Sequence, residues 1–136
     1  MLQTIKQDWS MLSGQYLSRL KIVDLRSGFM KVIKYNKLVR DKIPEIIEAD
    51  NKKCEIEVLS DEKYLEMIDA KLDEELAEYH KDKNLEELAD LMEVIYAATR
   101  ARGFSIEELE AVRVAKESKR GGFHKKLLLK EVTLNE

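Results

Sequence analysis

Apolar residues recur at three- and four-residue intervals along most of this chain, and the rhythm breaks at a few serine, asparagine and glycine positions. Leu65, Ile68, Leu72, Leu76 and Tyr79 fall on one stripe, as expected of a helix that turns one face to a core. Ser60 or Asp61 supplies its N-cap, and the helix is expected to run to about His80. A second stripe of Leu85, Leu88, Leu91, Met92, Ile95, Tyr96 and Thr99 lies opposite a polar ridge of Glu86, Glu93 and Arg100. Asn84 with Glu87 reads as a capping box for this helix, which reaches about Arg102 and stops at Gly103. Ser105 with Glu108 starts another, ending at Gly121-Gly122. A further helix is expected from residue 37 to about residue 50, since Pro44 near a first turn removes only a donor that would be orphaned anyway.

Two stretches depart from the helical rhythm. Cys54-Glu55-Ile56-Glu57-Val58-Leu59 alternates polar and apolar residues and reads as a short strand. Residues 123–132, with Leu127, Leu128, Leu129 and Val132, are its expected partner. The fold class expected is therefore all-α, with a minor β element at about 54–59 and 123–132. At the N-terminus Ile5, Trp9, Leu12, Tyr16 and Leu20 keep helical spacing before Arg26-Ser27-Gly28-Phe29 and a second methionine, Met30. Residues 1–29 are either an amphipathic helix that docks on the core or a partner subunit, or a segment ahead of a working start at Met30. The chain divides into this extension, of unknown role, and one domain over 30–136.

Composition narrows the function classes. The 136 residues are enough for one domain. Net charge is −3 with acids and bases interspersed, so no basic field points to a nucleic-acid partner. Cys54 is the one cysteine, too few for a disulfide framework or a thiolate metal site, and the setting expected is cytoplasmic. No apolar run approaches the roughly 20 residues of a membrane span, and no signal-peptide core is present.

The chemistry concentrates in KLDEELAEYHKDKNLEELADLMEV. Glu78 and Glu87 are equidistant from the centre of Lys81-Asp82-Lys83-Asn84, and Glu75 and Asp90 are matched one helical step further out. Antiparallel helices flanking that turn would bring the four acids level, and facing helices pack about 8–10 Å apart. Acid pairs three residues apart are common in a chain that is 38% charged, so position on the helix must discriminate. Glu75 falls inside the apolar stripe of its helix, Glu78 at its edge and Glu74 nearer solvent. Glu87 aligns with Val94 and lies beside Leu91, and both Glu87 and Asp90 are off the polar ridge. Carboxylates at such positions are costly to bury unless they are paired or hold a metal. Two readings remain: a divalent-metal cradle, or a solvated bundle end where the acids pair with Lys71, Lys81 or Lys83.

A cradle lined with acids alone would repel a phosphate, so cations matter. Lys116, Lys119 and Arg120 precede Gly121-Gly122, Lys125 and Lys126 follow, and Lys37, Arg40 and Lys42 come from the other end of the domain. Taken singly, the first group is a set of cations at a helix C-terminus; as a group it suits phosphate. His80 and His124 lack zinc spacing, and no P-loop, dinucleotide fingerprint or nucleophile elbow is present.

Glu74-Glu75-Leu76-Ala77-Glu78 followed by Glu87-Leu88-Ala89-Asp90 resembles the ExxE-plus-ExxD signature of the all-α NTP pyrophosphohydrolases, the MazG-like superfamily. Tyr35-Asn36-Lys37-Leu38-Val39-Arg40-Asp41-Lys42-Ile43-Pro44-Glu45 and Lys119-Arg120-Gly121-Gly122-Phe123 resemble the opening and closing motifs of its phosphoribosyl-ATP pyrophosphohydrolase-like subgroup. The likeness spans about residues 34–131. It implies a helical bundle with an antiparallel acidic hairpin, assembled as a homodimer or homotetramer. It also implies magnesium, with manganese as a substitute, on Glu75, Glu78, Glu87 and Asp90. The activity implied is hydrolysis of a nucleoside triphosphate, or a phosphoribosyl-ATP-like nucleotide, to the monophosphate and pyrophosphate, as in cleaning of the nucleotide pool. The base is not specified.

On this reading Lys116, Lys119 and Arg120, with Lys37 and Arg40, hold the departing pyrophosphate, because phosphoryl transfer needs mainly positioning and charge stabilisation. Glu74, beside the cradle, is the candidate general base. Asp41 orients Arg40 or a ribose hydroxyl, or forms a surface salt bridge. The rival class is a non-catalytic helical interaction module whose acids form a solvated face.

Overall fold

The computed structural model describes residues 21–24, as backbone, and residues 31–136. Secondary structure runs β1 (Lys21–Asp24), β2 (Lys31–Lys34), α1 (Ile43–Ala49), α2 (Asp61–Asp82), α3 (Leu85–Ala101) and α4 (Ile106–Arg120). The protein is mostly helical, as its apolar rhythm predicts. The expected N-terminal helix lies largely outside the described residues, but β1 occupies part of the supposed extension and pairs antiparallel with β2. The register sets Ile22 against Ile33 and Val23 against Val32. A boundary at residues 29/30 therefore falls between two paired strands.

Local signals fix the helix starts. Ser60 accepts a hydrogen bond from the Lys63 N–H at 3.2 Å to begin α2, and Asn84 accepts one from the Glu87 N–H at 2.9 Å to begin α3. Ser105 and Glu108 form both bonds of a capping box at α4, with Ser105 Oγ accepting from the Glu108 N–H and the Glu108 carboxylate accepting from the Ser105 N–H. Gly121 ends α4 at φ 82°, where a side chain would be strained. The helix α2 runs two residues past its expected end because Lys83 takes the left-handed conformation, φ 50° and ψ 40°, and donates its N–H to the Tyr79 carbonyl. The link to α3 is thus only Lys83-Asn84, and α2 and α3 pack closely as an antiparallel hairpin.

Two expectations are corrected. The helix expected from residue 37 begins at Ile43: the Ile43 N–H closes a turn on the Arg40 carbonyl at 3.0 Å, and Pro44 sits in the first turn. Residues 37–40 are left as a non-helical connection that crosses to the hairpin. The strand pair at 54–59 and 123–132 does not form, and both stretches lack regular structure. Alternation gives a strand its two faces but no partner ladder, and Val58 and Leu127 are almost wholly exposed. Among the described residues, the buried apolar side chains are Ile68 of α2 and Val94 of α3, so the core lies between these two helices.

Candidate metal centre

The most buried residues of the hairpin besides Ile68 and Val94 are two acids. Glu87 is 2% exposed and Glu75 is 6% exposed. Glu75 lies within the apolar stripe of α2, so the face that packs on α3 carries it inward. Glu87 is in the first turn of α3, where the helix dipole favours a carboxylate. The antiparallel crossing brings Glu75, Glu87 and Asp90 together, each offering an oxygen within 4.8 Å of the others, and does the same for Glu78, Asp82 and Glu87. All four sequence-predicted ligands therefore lie in two overlapping groups that share Glu87. The sequence reading missed Asp82, which it put in the turn. Its signal is the four-residue step from Glu78, which sets both on one face once α2 continues through Asp82.

Among the described residues, Lys71 and Arg40 bond directly to carboxylates of this group of five. Lys71 Nζ lies 3.2 Å from Glu75 Oε1, and Arg40 Nη2 donates to Asp90 Oδ1 at 2.6 Å. Burial pushes the pKa of Glu75 up; Lys71 opposes the shift, and Asp90 and Glu74 add to it. Glu87 is also pushed up, by burial and then by Asp90, Glu75, Glu78 and Asp82. Burial is the largest cause for both, with neighbouring acids adding to it, and a proton or a cation would relieve it. Glu75 Oε2 and Glu78 Oε2 are buried with no hydrogen-bond partner, which is costly for a carboxylate. An all-oxygen set of this kind suits a hard divalent cation such as magnesium or manganese, rather than zinc, which prefers nitrogen and sulfur.

Around the acids, Glu74 Oε1 is held by Lys37 Nζ at 3.1 Å and Lys71 Nζ at 3.6 Å. The connection before α1 thus delivers Lys37 and Arg40 to the cluster from 37 and 50 residues away. Arg40 bonds Asp90 and not Asp41, which is exposed in the turn ahead of α1, so an Asp41–Arg40 pair does not form. Lys116, Lys119 and Arg120 lie on the exposed final turns of α4, and no ion pair joins them to the acids among the described residues. Of the solvated arrangement, the pairing with Lys71 is present, but the near-complete burial of Glu75 and Glu87 is the opposite of a solvated face.

No helix among the described residues is long and apolar enough to cross a membrane. No family model matches the chain, and no solved structure matches it. An uncharacterized protein of Mycolicibacterium smegmatis is 56% identical to this chain over 41 residues, a stretch that is 30% of this chain and 42% of that protein. The likeness thus covers less than half the length of that relative.

Proposed function

We propose that this chain is a magnesium-dependent nucleoside triphosphate pyrophosphohydrolase of the MazG-like all-α type. It cleaves a nucleoside triphosphate, or a phosphoribosyl-ATP-like nucleotide, to the monophosphate and pyrophosphate in nucleotide-pool cleaning. The observation that carries the reading is Glu75, which is 6% exposed and keeps one buried carboxylate oxygen without a hydrogen-bond partner, in a group with Glu87 and Asp90. Glu75, Glu78, Glu87 and Asp90 hold the ion, with Asp82 beside them. When bound, a magnesium ion supplies charge neutralisation at triphosphate oxygens and a bound water of lowered pKa.

The chain's own groups supply the rest. Arg40 has more than half of its side chain exposed while it bonds Asp90, so it offers further N–H donors to an anion at the mouth of the cluster. Lys37 stands next to it on Glu74. A general base at Glu74 would work against the two ammonium groups on its Oε1, so positioning of Lys37 is the role its contacts favour. Lys116, Lys119 and Arg120 remain candidates for holding pyrophosphate if α4 is brought to a cluster.

The test is product identity. A panel of standard and damaged nucleotides with magnesium, resolved by anion exchange without added pyrophosphatase, should yield a monophosphate and pyrophosphate. A diphosphate with inorganic phosphate would overturn the chemistry. No turnover of any nucleotide would favour the interaction module.

A further inference from the structure

Beyond α4 the chain continues as an arm that no other described residue covers. Phe123 is 98% exposed, and Leu127, Leu128, Leu129, Val132 and Leu134 are 69–84% exposed. The only backbone hydrogen bond described within residues 123–136 runs from the Lys126 N–H to the Phe123 carbonyl at 3.3 Å. A solvated tail is poor in large apolar residues, and this one has six within twelve positions. An extended segment without a ladder or a buried side chain has nothing to offset the entropy of ordering it.

The same molecule carries a surface complementary to that arm. Leu76 of α2 and Leu85, Leu88 and Met92 of α3 are exposed on the hairpin, the last three at helical spacing. Within residues 73–93 the exposed charges are Asp73, Asp82, Glu86 and Glu93 against Lys81 and Lys83, whereas residues 121–136 hold Lys125, Lys126 and Lys130 against Glu131 and Glu136. Arm and hairpin are therefore both apolar and of opposite net charge, yet among the described residues nothing covers either. We propose that residues 121–136 dock on the α2–α3 hairpin of a second copy of this chain, in a reciprocal exchange of arms. Area is consistent with this occupant. Each large apolar side chain removes about 100 Å² from water, so six on each of two arms bring about 1,200 Å², the lower end of a specific interface before the covered helices are counted.

The inference is independent of any nucleotide chemistry, and its test is mass in solution. In sedimentation at micromolar concentration the full chain should be a dimer or a multiple of one. The full-length double variant Leu127→Asp with Leu129→Asp should be monomeric with unchanged helical circular dichroism. A monomeric wild-type chain overturns the proposal, and so does a folded double variant that keeps the wild-type mass. If the double variant loses its helical signal, Leu128→Ala decides. It must weaken the oligomer's dissociation constant about tenfold, and an unchanged constant overturns the proposal.

Discussion

The α2–α3 hairpin and the C-terminal region beginning at α4 are equally well specified locally and opposite in burial. Each of α2, α3 and α4 has a side-chain N-cap, and α4 has the fuller capping box. Yet the hairpin buries Ile68, Val94, Glu75 and Glu87, while α4 has no buried residue. Caps and periodicity decide where a helix forms, whereas burial depends on a partner surface. The hairpin finds its partner across a two-residue link, whereas among the described residues α4 meets α3 only marginally and buries nothing there. The site lies where two helices are forced together, and acids are what they press inward.

The largest effect that would break this contrast is loss of a ligand. Glu75→Gln and Asp90→Asn keep shape and hydrogen-bonding capacity while removing charge, so turnover should fall more than about 100-fold, beyond the usual loss for residues one shell further out. Glu66→Gln, on the same helix but exposed and paired with Lys63 at 3.0 Å, should retain wild-type rates. Equal losses in all three variants, by initial-rate assay on folded protein, would remove the special standing of the buried acids.

Next in size is the effect of the ion on the hairpin. A cation that binds only the folded state adds about 2.7 kcal/mol at a hundredfold excess over its dissociation constant, which for a domain of this size raises the melting temperature by about 10 °C. Superimposable melting curves in EDTA and in saturating magnesium, at matched ionic strength, would count against the cradle.

Smaller still is the difference between the caps of the two regions. Asn84→Ala and Ser105→Ala each remove a cap worth about 1 kcal/mol. The first lies inside the packed hairpin and should lower the melting temperature by about 4 °C at any protein concentration. The second, in dilute protein, should appear mainly as faster amide exchange at the start of α4, and should approach the effect of the first as the chain assembles through its arms. Equal effects at every dilution would mean that α4 is as tightly coupled to the core as α3.

What the sequence made legible follows the same division. The caps at Ser60, Asn84 and Ser105 and the stop at Gly121 are local chemistry, readable from a few neighbouring residues. The mirror spacing of Glu75, Glu78, Glu87 and Asp90 is readable because a short antiparallel turn converts distance along the chain into level across it. Asp82 was hidden because its place depends on the backbone of Lys83, and a left-handed lysine is not a sequence signal. The strand expected at residues 54–59 failed for a different reason: alternation is local, but a ladder needs a second edge. The β1–β2 pair went unseen because each strand is only four residues long and the helical spacing of Ile5 to Leu20 dominated the reading of the segment before Met30. The reach of Arg40 to Asp90 across 50 residues has no local signature, because nothing in its neighbourhood specifies where the connection before α1 will run.

The finest test sets one acid from each region against the other. Burial and the surrounding acids hold the carboxyl of Glu87 above its ordinary pKa, whereas a side-chain hydrogen bond from Arg113 holds that of Glu110 below it. For Glu87 the folded state binds the proton more tightly than the unfolded chain. Its ionised form therefore destabilises the metal-free protein, by an amount that is absent in acid and grows as pH rises through the interval up to the raised value. Glu87→Gln in EDTA should accordingly melt higher than the wild type at neutral pH, with the gain disappearing below the ordinary carboxylate range. Glu110 has the opposite sign: its contribution is stabilising above the ordinary carboxylate value and is lost as pH falls through the lowered one. Glu110→Gln should therefore melt slightly lower at neutral pH, by little because the pair is exposed, and should match the wild type in strong acid. Melting curves of the two variants from acid to neutral pH in EDTA should diverge from the wild type in opposite directions. If Glu87→Gln also melts below the wild type, the ionised Glu87 carboxylate already has compensating partners in the metal-free protein, and the hairpin has no unmet charge for a cation to satisfy.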